Sequence, residues 1–123
     1  MMQITELEVW KASMEMAKTF YELSRTFPET EAYGLGMMLR KAVTSLPSNI
    51  AAAASRKYGA ESLRYLLKAK GLIYDVETHL YLAERLGYIS SDQLQEHLDI
   101  LDTSRKLLFG FIKYYKRTAQ QQQ

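Results

Sequence analysis

The chain contains no cysteine among its 123 residues. That rules out a disulfide scaffold, a thiolate metal site and a cysteine nucleophile, and it fits a reducing cytoplasm, the expected location. Only two prolines and six glycines interrupt the sequence, so long helices can run with few breaks. Histidine is equally scarce. Its two copies stand in Glu77-Thr78-His79 and Glu96-His97, and neither has the Glu-x-x-His spacing that a di-iron helix bundle requires. No P-loop, Gly-x-Gly-x-x-Gly, Gly-x-Ser-x-Gly or zinc signature occurs. These absences point away from an enzyme: no catalytic residue, metal, cofactor or small-molecule substrate is expected. The N-terminal stretch carries Glu6 and Glu8 without an apolar leader, and no window approaches the eighteen or so apolar residues of a spanning helix. The expectation is a soluble, unsecreted protein with no membrane partner.

What is present is a helical pattern. Nearly half of the residues are hydrophobic, enough for one domain with a real core. Apolar residues recur at spacings of three and four almost throughout, which predicts an all-α protein of four helices. The first starts at Thr5, where Thr5-x-x-Glu8 has capping-box spacing, and stops near Arg25 before Phe27-Pro28. Its seam is Leu7, Trp10, Met14, Ala17 and Tyr21, widened by Val9, Met16, Phe20 and Leu23. The second begins near Thr30 and carries Leu35, Leu39, Ala42, Leu46, Ile50 and Ala53, continuing through Pro47 to Tyr58-Gly59, with Gly59 suited to a left-handed cap. The third, about 60 to 86, has Leu63, Leu66, Ile73, Val76, Leu80 and Ala83 on one side. Leu67, Tyr74, Tyr81 and Tyr88 follow at seven-residue intervals on another. Two such stripes suggest a subunit interface, with a single wide core-facing arc as the equal alternative. Ser90 and Gln93 have capping-box spacing, and the fourth helix runs to about Arg117 with Leu94, Leu98, Leu101, Leu108, Ile112 and Tyr115 on heptad positions that Arg105 interrupts. A second stripe on it holds Ile100, Leu107, Phe111 and Tyr114. One domain, 1–119, is expected, with a disordered glutamine tail over 120–123.

Short connections make consecutive helices antiparallel, giving an up-down-up-down four-helix bundle. Sixteen basic against fourteen acidic residues leave a net charge of only +2, but their distribution is uneven. From Thr103 to the C-terminus there are five basic residues and no acid. The topology gathers Arg56, Lys57, Arg64, Lys68, Lys113, Lys116 and Arg117 at one pole, diluted by Glu6, Glu8 and Glu61. With Tyr58, Tyr65, Tyr114 and Tyr115 interleaved, this pole can take RNA phosphates and stack bases. Ordinary helix-end chemistry explains the same residues, because Lys and Arg offset the dipole there.

An interior proline deletes a backbone hydrogen bond and presses on the carbonyl four residues before it, costing about 3 kcal/mol. Pro47 therefore marks a kink, for which Asn49 is the expected backbone compensator and Arg40 an upstream companion. Lys70 and Glu77 on the third helix and Arg105 opposite are positioned for ion pairs that fix register or assembly.

Several segments taken in order carry a resemblance: Leu7-Glu8-Val9-Trp10-Lys11-Ala12, Phe27-Pro28, Tyr33-Gly34-Leu35, Leu39-Arg40-Lys41-Ala42-Val43, Ser45-Leu46-Pro47-Ser48-Asn49-Ile50-Ala51 and Leu82-Ala83-Glu84-Arg85-Leu86-Gly87-Tyr88. Together they resemble the four-helix-bundle proteins of 23S ribosomal RNA intervening sequences, over nearly the whole chain. The resemblance implies a small bacterial protein, an up-down-up-down bundle and a homopentamer, and it brings no reaction with it. A distant group, the accessory proteins of diversity-generating retroelements, shares the barrel and binds nucleic acid and a reverse transcriptase through basic surfaces. One departure is clear: the family's usual Asn-Ile-Ala-Glu-Gly is here Asn49-Ile50-Ala51-Ala52-Ala53. Two functions follow as expectations, a homo-oligomer contacting RNA or a ribonucleoprotein, and an assembly or adaptor module without nucleic acid.

Overall fold

A computed structural model describes residues 3–121 of the chain. Four α-helices account for most of it: α1, Glu8–Ser24; α2, Leu35–Ala54; α3, Gly59–Arg85; and α4, Ser91–Gln121. Short 3-10 turns at Ile4–Glu6 and Glu29–Glu31 precede α1 and α2, and among the described residues there is no strand.

Each helix packs on the next and α4 closes on α1. The pairing of levels shows that every neighbour is antiparallel. Arg40 near the start of α2 bonds Ser24 at the end of α1, and Ser62 at the start of α3 bonds Ala53 at the end of α2. Glu77 late in α3 meets Arg105 in the middle of α4, whereas Gly59 at its start lies against Ala119. Phe20 late in α1 packs on His97 early in α4. The bundle is therefore up-down-up-down, as the connection lengths predict.

The core is formed by Met16, Phe20, Leu39, Leu46, Ile50, Leu66, Ile73, Leu80, Leu101 and Leu108, all essentially inaccessible. Each such side chain stabilises the fold by about 1.5–3 kcal/mol through removal from water. The inward stripes expected on α2 and α3 are the observed ones, except that Leu63 is only partly buried. On α1 Leu7 and Ala17 of the expected seam are buried, but the rest of the core face comes from the flanking stripe. Val9, Ser13, Met16, Phe20 and Leu23 face the core, while Met14 and Tyr21 remain 43% and 37% exposed.

Several helix ends differ from the sequence reading. The Thr5–Glu8 capping box does not form: Thr5 lies in the 3-10 turn, and the N-cap is Leu7, without a side-chain cap. Leu7 is buried, so burying its side chain sets the entry of the chain. The Ser90–Gln93 box does form, with the Ser90 amide donating to Gln93 Oε1 at 2.9 Å and the Gln93 amide to Ser90 Oγ at 3.1 Å. α2 starts at Leu35 and not near Thr30, because the Glu29–Glu31 turn intervenes and Glu31 Oε1 accepts from the Leu35 amide at 3.1 Å. Gly59 is the first residue of α3 and no C-cap. The left-handed glycine is Gly87, φ 78°, closing α3 with the Tyr88 amide donating to Ala83 O and the Gly87 amide to Glu84 O, both at 2.9 Å. α4 continues through Gln120 and Gln121, two residues assigned to a disordered tail from sequence. The rest of that tail, 122–123, lies outside the described residues.

Candidate functional site

The antiparallel packing brings the α2–α3 connection and the end of α4 to one pole. Gly59 allows their closest approach, for a Cβ at that position would stand 2.8 Å from the Ala119 amide nitrogen. Arg56, Lys57, Arg64, Lys68, Lys113, Lys116 and Arg117 are all exposed there. None of the seven has an ion-pair partner among the described residues.

They form a belt and not a single patch. Lys68 borders a shallow groove with Ser45, Asn49 and Leu72, on the α2 side of α3. Lys116 lies one heptad beyond Phe109, which faces α3 under Lys70, whereas Lys113 repeats the outward position of Lys106. The local excess of five basic residues read from the C-terminal segment shrinks, because Lys106 pairs with Asp102 at 3.2 Å and Arg105 with Glu77 at 2.7 Å.

Two of the four tyrosines expected at the pole are open. Tyr58 and Tyr114 are each 50% exposed, and Lys57 Nζ lies 5.4 Å from the centre of the Tyr58 ring. Tyr65 is covered by cations, Arg56 at 4.6 Å and Lys68 at 5.6 Å. Tyr115 turns inward against Phe111 and Tyr114, and burial lifts its phenol above the ordinary 10.0. It belongs to the core because its row on α4 is that of Leu101, Leu108 and Ile112.

The proline segment has an architectural account. Pro47 is buried inside an uninterrupted α2, and side chains before and after it bond nearby carbonyls. Asn49 Nδ2 donates to Ser45 O at 2.8 Å, Ser45 Oγ to Lys41 O at 2.7 Å and Ser48 Oγ to Thr44 O at 3.3 Å. Asn49 thus bonds the Ser45 carbonyl and not that of Val43, the one four residues before the proline. Arg40 is a clamp: it donates to Ser24 Oγ at 3.2 Å and to Ala32 O at 2.7 Å, tying the long α1–α2 connection to both helices.

Of the proposed interface residues, Leu67, Tyr74 and Tyr81 share an exposed face of α3, 51%, 47% and 44% accessible. Tyr88 does not belong with them. It lies beyond the end of α3, half-buried, with its ring 5.7 Å from Phe27 and its hydroxyl donating to Glu31 Oε2 at 2.7 Å. That bond and the Leu35 amide hold the Glu31 carboxyl below its ordinary 4.5. Arg105 bridges α4 to Glu77 on α3 as an intramolecular pair, while Lys70 sits 5.4 Å over Phe109.

Sequence reasoning missed a groove of about 610 Å³ between α1 and α2, with Trp10, Met14, Ala17, Pro47 and Ala51 in its walls and Lys18, Glu22 and Arg25 on its rim. A signal existed: Thr44, Pro47, Ser48 and Ala51 are modest in size at helical spacing, opposite the broad Trp10–Met14–Tyr21 row. His79 is half-buried on α3, with burial lowering its imidazole from the ordinary 6.5 against the pull of Asp75. His97 is satisfied, its Nδ1 2.7 Å from Gln93 O. Among the described residues no group of three or more His, Asp or Glu could hold a metal, and no helix is long and apolar enough to cross a membrane.

The sequence profile of the 23S rRNA-intervening sequence proteins matches residues 5–110. The chain belongs to this family. A solved structure of a protein with unknown function from the S23 ribosomal protein family of Bacteroides thetaiotaomicron has the same fold, with a TM-score of 0.79 and 24% identity over 85% of this chain and 98% of that one. No curated protein matches the chain. In this 23S rRNA-intervening sequence protein the alanines at the usual Glu-Gly position are partly structural: Ala53 is fully buried and its carbonyl accepts from Ser62 Oγ at 2.7 Å.

Proposed function

We propose that this 23S rRNA-intervening sequence protein is a non-catalytic, cytoplasmic homo-oligomer, a pentamer, that binds RNA or a ribonucleoprotein through its basic pole. The observation that carries the reading is the set of seven exposed cations without ion-pair partners among the described residues, at the pole that also carries two open tyrosines, Tyr58 and Tyr114. Unpaired lysines and arginines supply phosphate contacts, and a tyrosine face accepts an unstacked base. The name of the neighbour's family, S23 ribosomal protein, agrees with an RNA partner.

Salt decides it. Each single-strand phosphate contact contributes about −0.7 to the slope of log affinity against log salt. Engagement of all seven cations gives a slope near −5, so retention on RNA should fall by about 10³ between 50 and 200 mM salt. Replacing Lys113, Lys116 and Arg117 together with glutamine should abolish retention at low salt and leave thermal unfolding unchanged. Retention that ignores salt, or survives the triple substitution, refutes the basic-pole reading. A second reading, an assembly or adaptor module without nucleic acid, draws on the exposed Leu67–Tyr74–Tyr81 face. It predicts no RNA retention at any salt.

A further inference from the structure

We infer that the groove between the start of α1 and the second half of α4 receives an unpaired base of single-stranded RNA, laid parallel to the rings of Phe111 and Tyr114. This rests on the RNA reading above and assigns the site and the kind of strand.

The first argument is the arrangement of three rings. Phe111 and Tyr114 stand one turn apart on α4, within 7° of parallel, with centroids 6.4 Å apart. Tyr115 is nearly perpendicular to both, at 4.9 and 5.0 Å, and is itself buried. A core ring therefore fixes the orientation of the two outer ones, and little side-chain freedom is left to lose when a flat ligand docks on them. Tyr114 is also the uncovered tyrosine of the pole. Cations lie over Tyr58 and Tyr65, whereas none lies over Tyr114 among the described residues.

The second argument is space. Both outer rings line one groove of about 360 Å³, with Leu7 and Val9 of α1 on its far wall. That volume lies within the range of small-molecule sites, about 300–1,000 Å³. Leu7 and Val9 are buried and close the groove toward the core. A Cβ at Gly110, which also lines it, would meet nothing within 4 Å, so the groove is unfilled there.

Charge supplies the third argument. The groove's own charged residues are engaged, Glu8 with Lys11 and Lys106 with Asp102, both at 3.2 Å. Beyond them the charge is free. Lys113 continues the row of Lys106 and Arg117 that of Gly110, each one heptad, about 10 Å, farther toward the pole. Both are exposed and without ion-pair partners among the described residues. A phosphate held by Lys113 or Arg117 brings its base beside the rings, the pairing of cationic track and aromatic platform that suits single strands. A duplex keeps its bases paired and stacked and offers none to the groove.

Fluorescence anisotropy at about 100 mM salt tests this with three labelled probes. Oligouridylate of about 12 nucleotides should bind more tightly than its duplex with oligoadenylate, although charge alone favours the duplex, whose salt slope per phosphate is about −0.9 against −0.7. A strand of equal length and charge without bases should bind about 5- to 150-fold more weakly than oligouridylate, the range for stacking one base on an aromatic residue. Tyr114→Ala removes a ring and Gly110→Leu fills the groove. Each should weaken oligouridylate over that range and leave the baseless strand unchanged, while Tyr81→Ala, on α3 away from the pole, should alter neither. If none of the three probes binds, the RNA reading falls and this inference with it. Equal affinity for the strand with and without bases, a duplex bound as tightly as the single strand, or binding that ignores both groove variants overturns the groove assignment alone. A changed oligomeric mass in Gly110→Leu overturns it as well, because a second copy then occupies the groove.

Discussion

Replacing Gly59 with alanine probes the closest helix contact at the basic pole. The added Cβ would stand 2.8 Å from Ala119 N, 3.1 Å from Ala119 Cα and 3.2 Å from Tyr115 O. All three are backbone atoms of α4, so no rotamer change relieves them. Reaching 3.4 Å, the near edge of ordinary contact, demands an outward shift of 3.4 − 2.8 = 0.6 Å at the end of α4. Overpacking of this kind costs about 1–3 kcal/mol. The loss of glycine's conformational freedom returns a few tenths, since Gly59 occupies the first helical position and not an interior one. The expected net loss is about 1–2 kcal/mol, a fall in Tm of about 3–8 °C for a chain of this size. Gly110→Ala is the matched control. It adds a Cβ with nothing within 4 Å inside α4, and should stabilise by about 0.5–1 kcal/mol. Both are measured by urea and thermal unfolding at equal protein concentration, since the proposed assembly would make Tm depend on concentration. If Gly59→Ala matches the parent, or Gly110→Ala loses more than Gly59→Ala, the helices at this pole are not as closely spaced as described.

Ser62→Ala removes the buried bond to Ala53 O, but the Arg56 amide still donates to that carbonyl at 3.3 Å. A loss of about 1 kcal/mol is therefore expected in urea unfolding, and a loss above about 3 kcal/mol contradicts the shared acceptor. The Tyr88–Glu31 bond predicts a pH dependence. Glu31 has a lowered pKa in the folded chain, so its contribution is present above 4.5 and is lost as pH falls through the folded value. Tyr88 has a raised one, so its contribution is present below 10.0 and is lost as pH rises through the folded value. Tyr88→Phe should flatten the urea midpoint against pH at both ends, and an unaltered profile refutes the tie.

The bundle was legible because its signals are local and repeated. α2 shows the full inward row, Leu35, Leu39, Ala42, Leu46, Ile50 and Ala53, all buried, and the Ser90–Gln93 box needs only its own four residues. The errors arose where a distant contact overrode a local pattern. Thr5-x-x-Glu8 has the same spacing, yet burial of Leu7 holds the chain extended at φ −76° and ψ 121° just where the box would close. On α1 both stripes are apolar, and periodicity cannot say that Phe20 faces the core while Trp10 and Met14 line a groove. Tyr88 keeps the seven-residue interval of Tyr74 and Tyr81, but Gly87 ends the helix before it. The family resemblance was readable because it rests on segment order, whereas the exposure of Tyr58 against the burial of Tyr115 depends on packing between helices.

Gly59 joins fold and site in a way that neither reveals alone. The approach that it permits draws residues 113–117 of α4 toward Arg56 and Lys57, and so concentrates like charge. Exposed cations within a Debye length of one another, about 8 Å at physiological salt and longer as salt falls, repel, which opposes that packing in the free protein most at low salt. Apolar burial around Tyr115, Ile112 and Leu66 supplies the opposing force. A polyanion on the belt would remove the repulsion without moving a helix. If the pole binds a polyanion as proposed, that binding should raise the stability of the fold most at low salt.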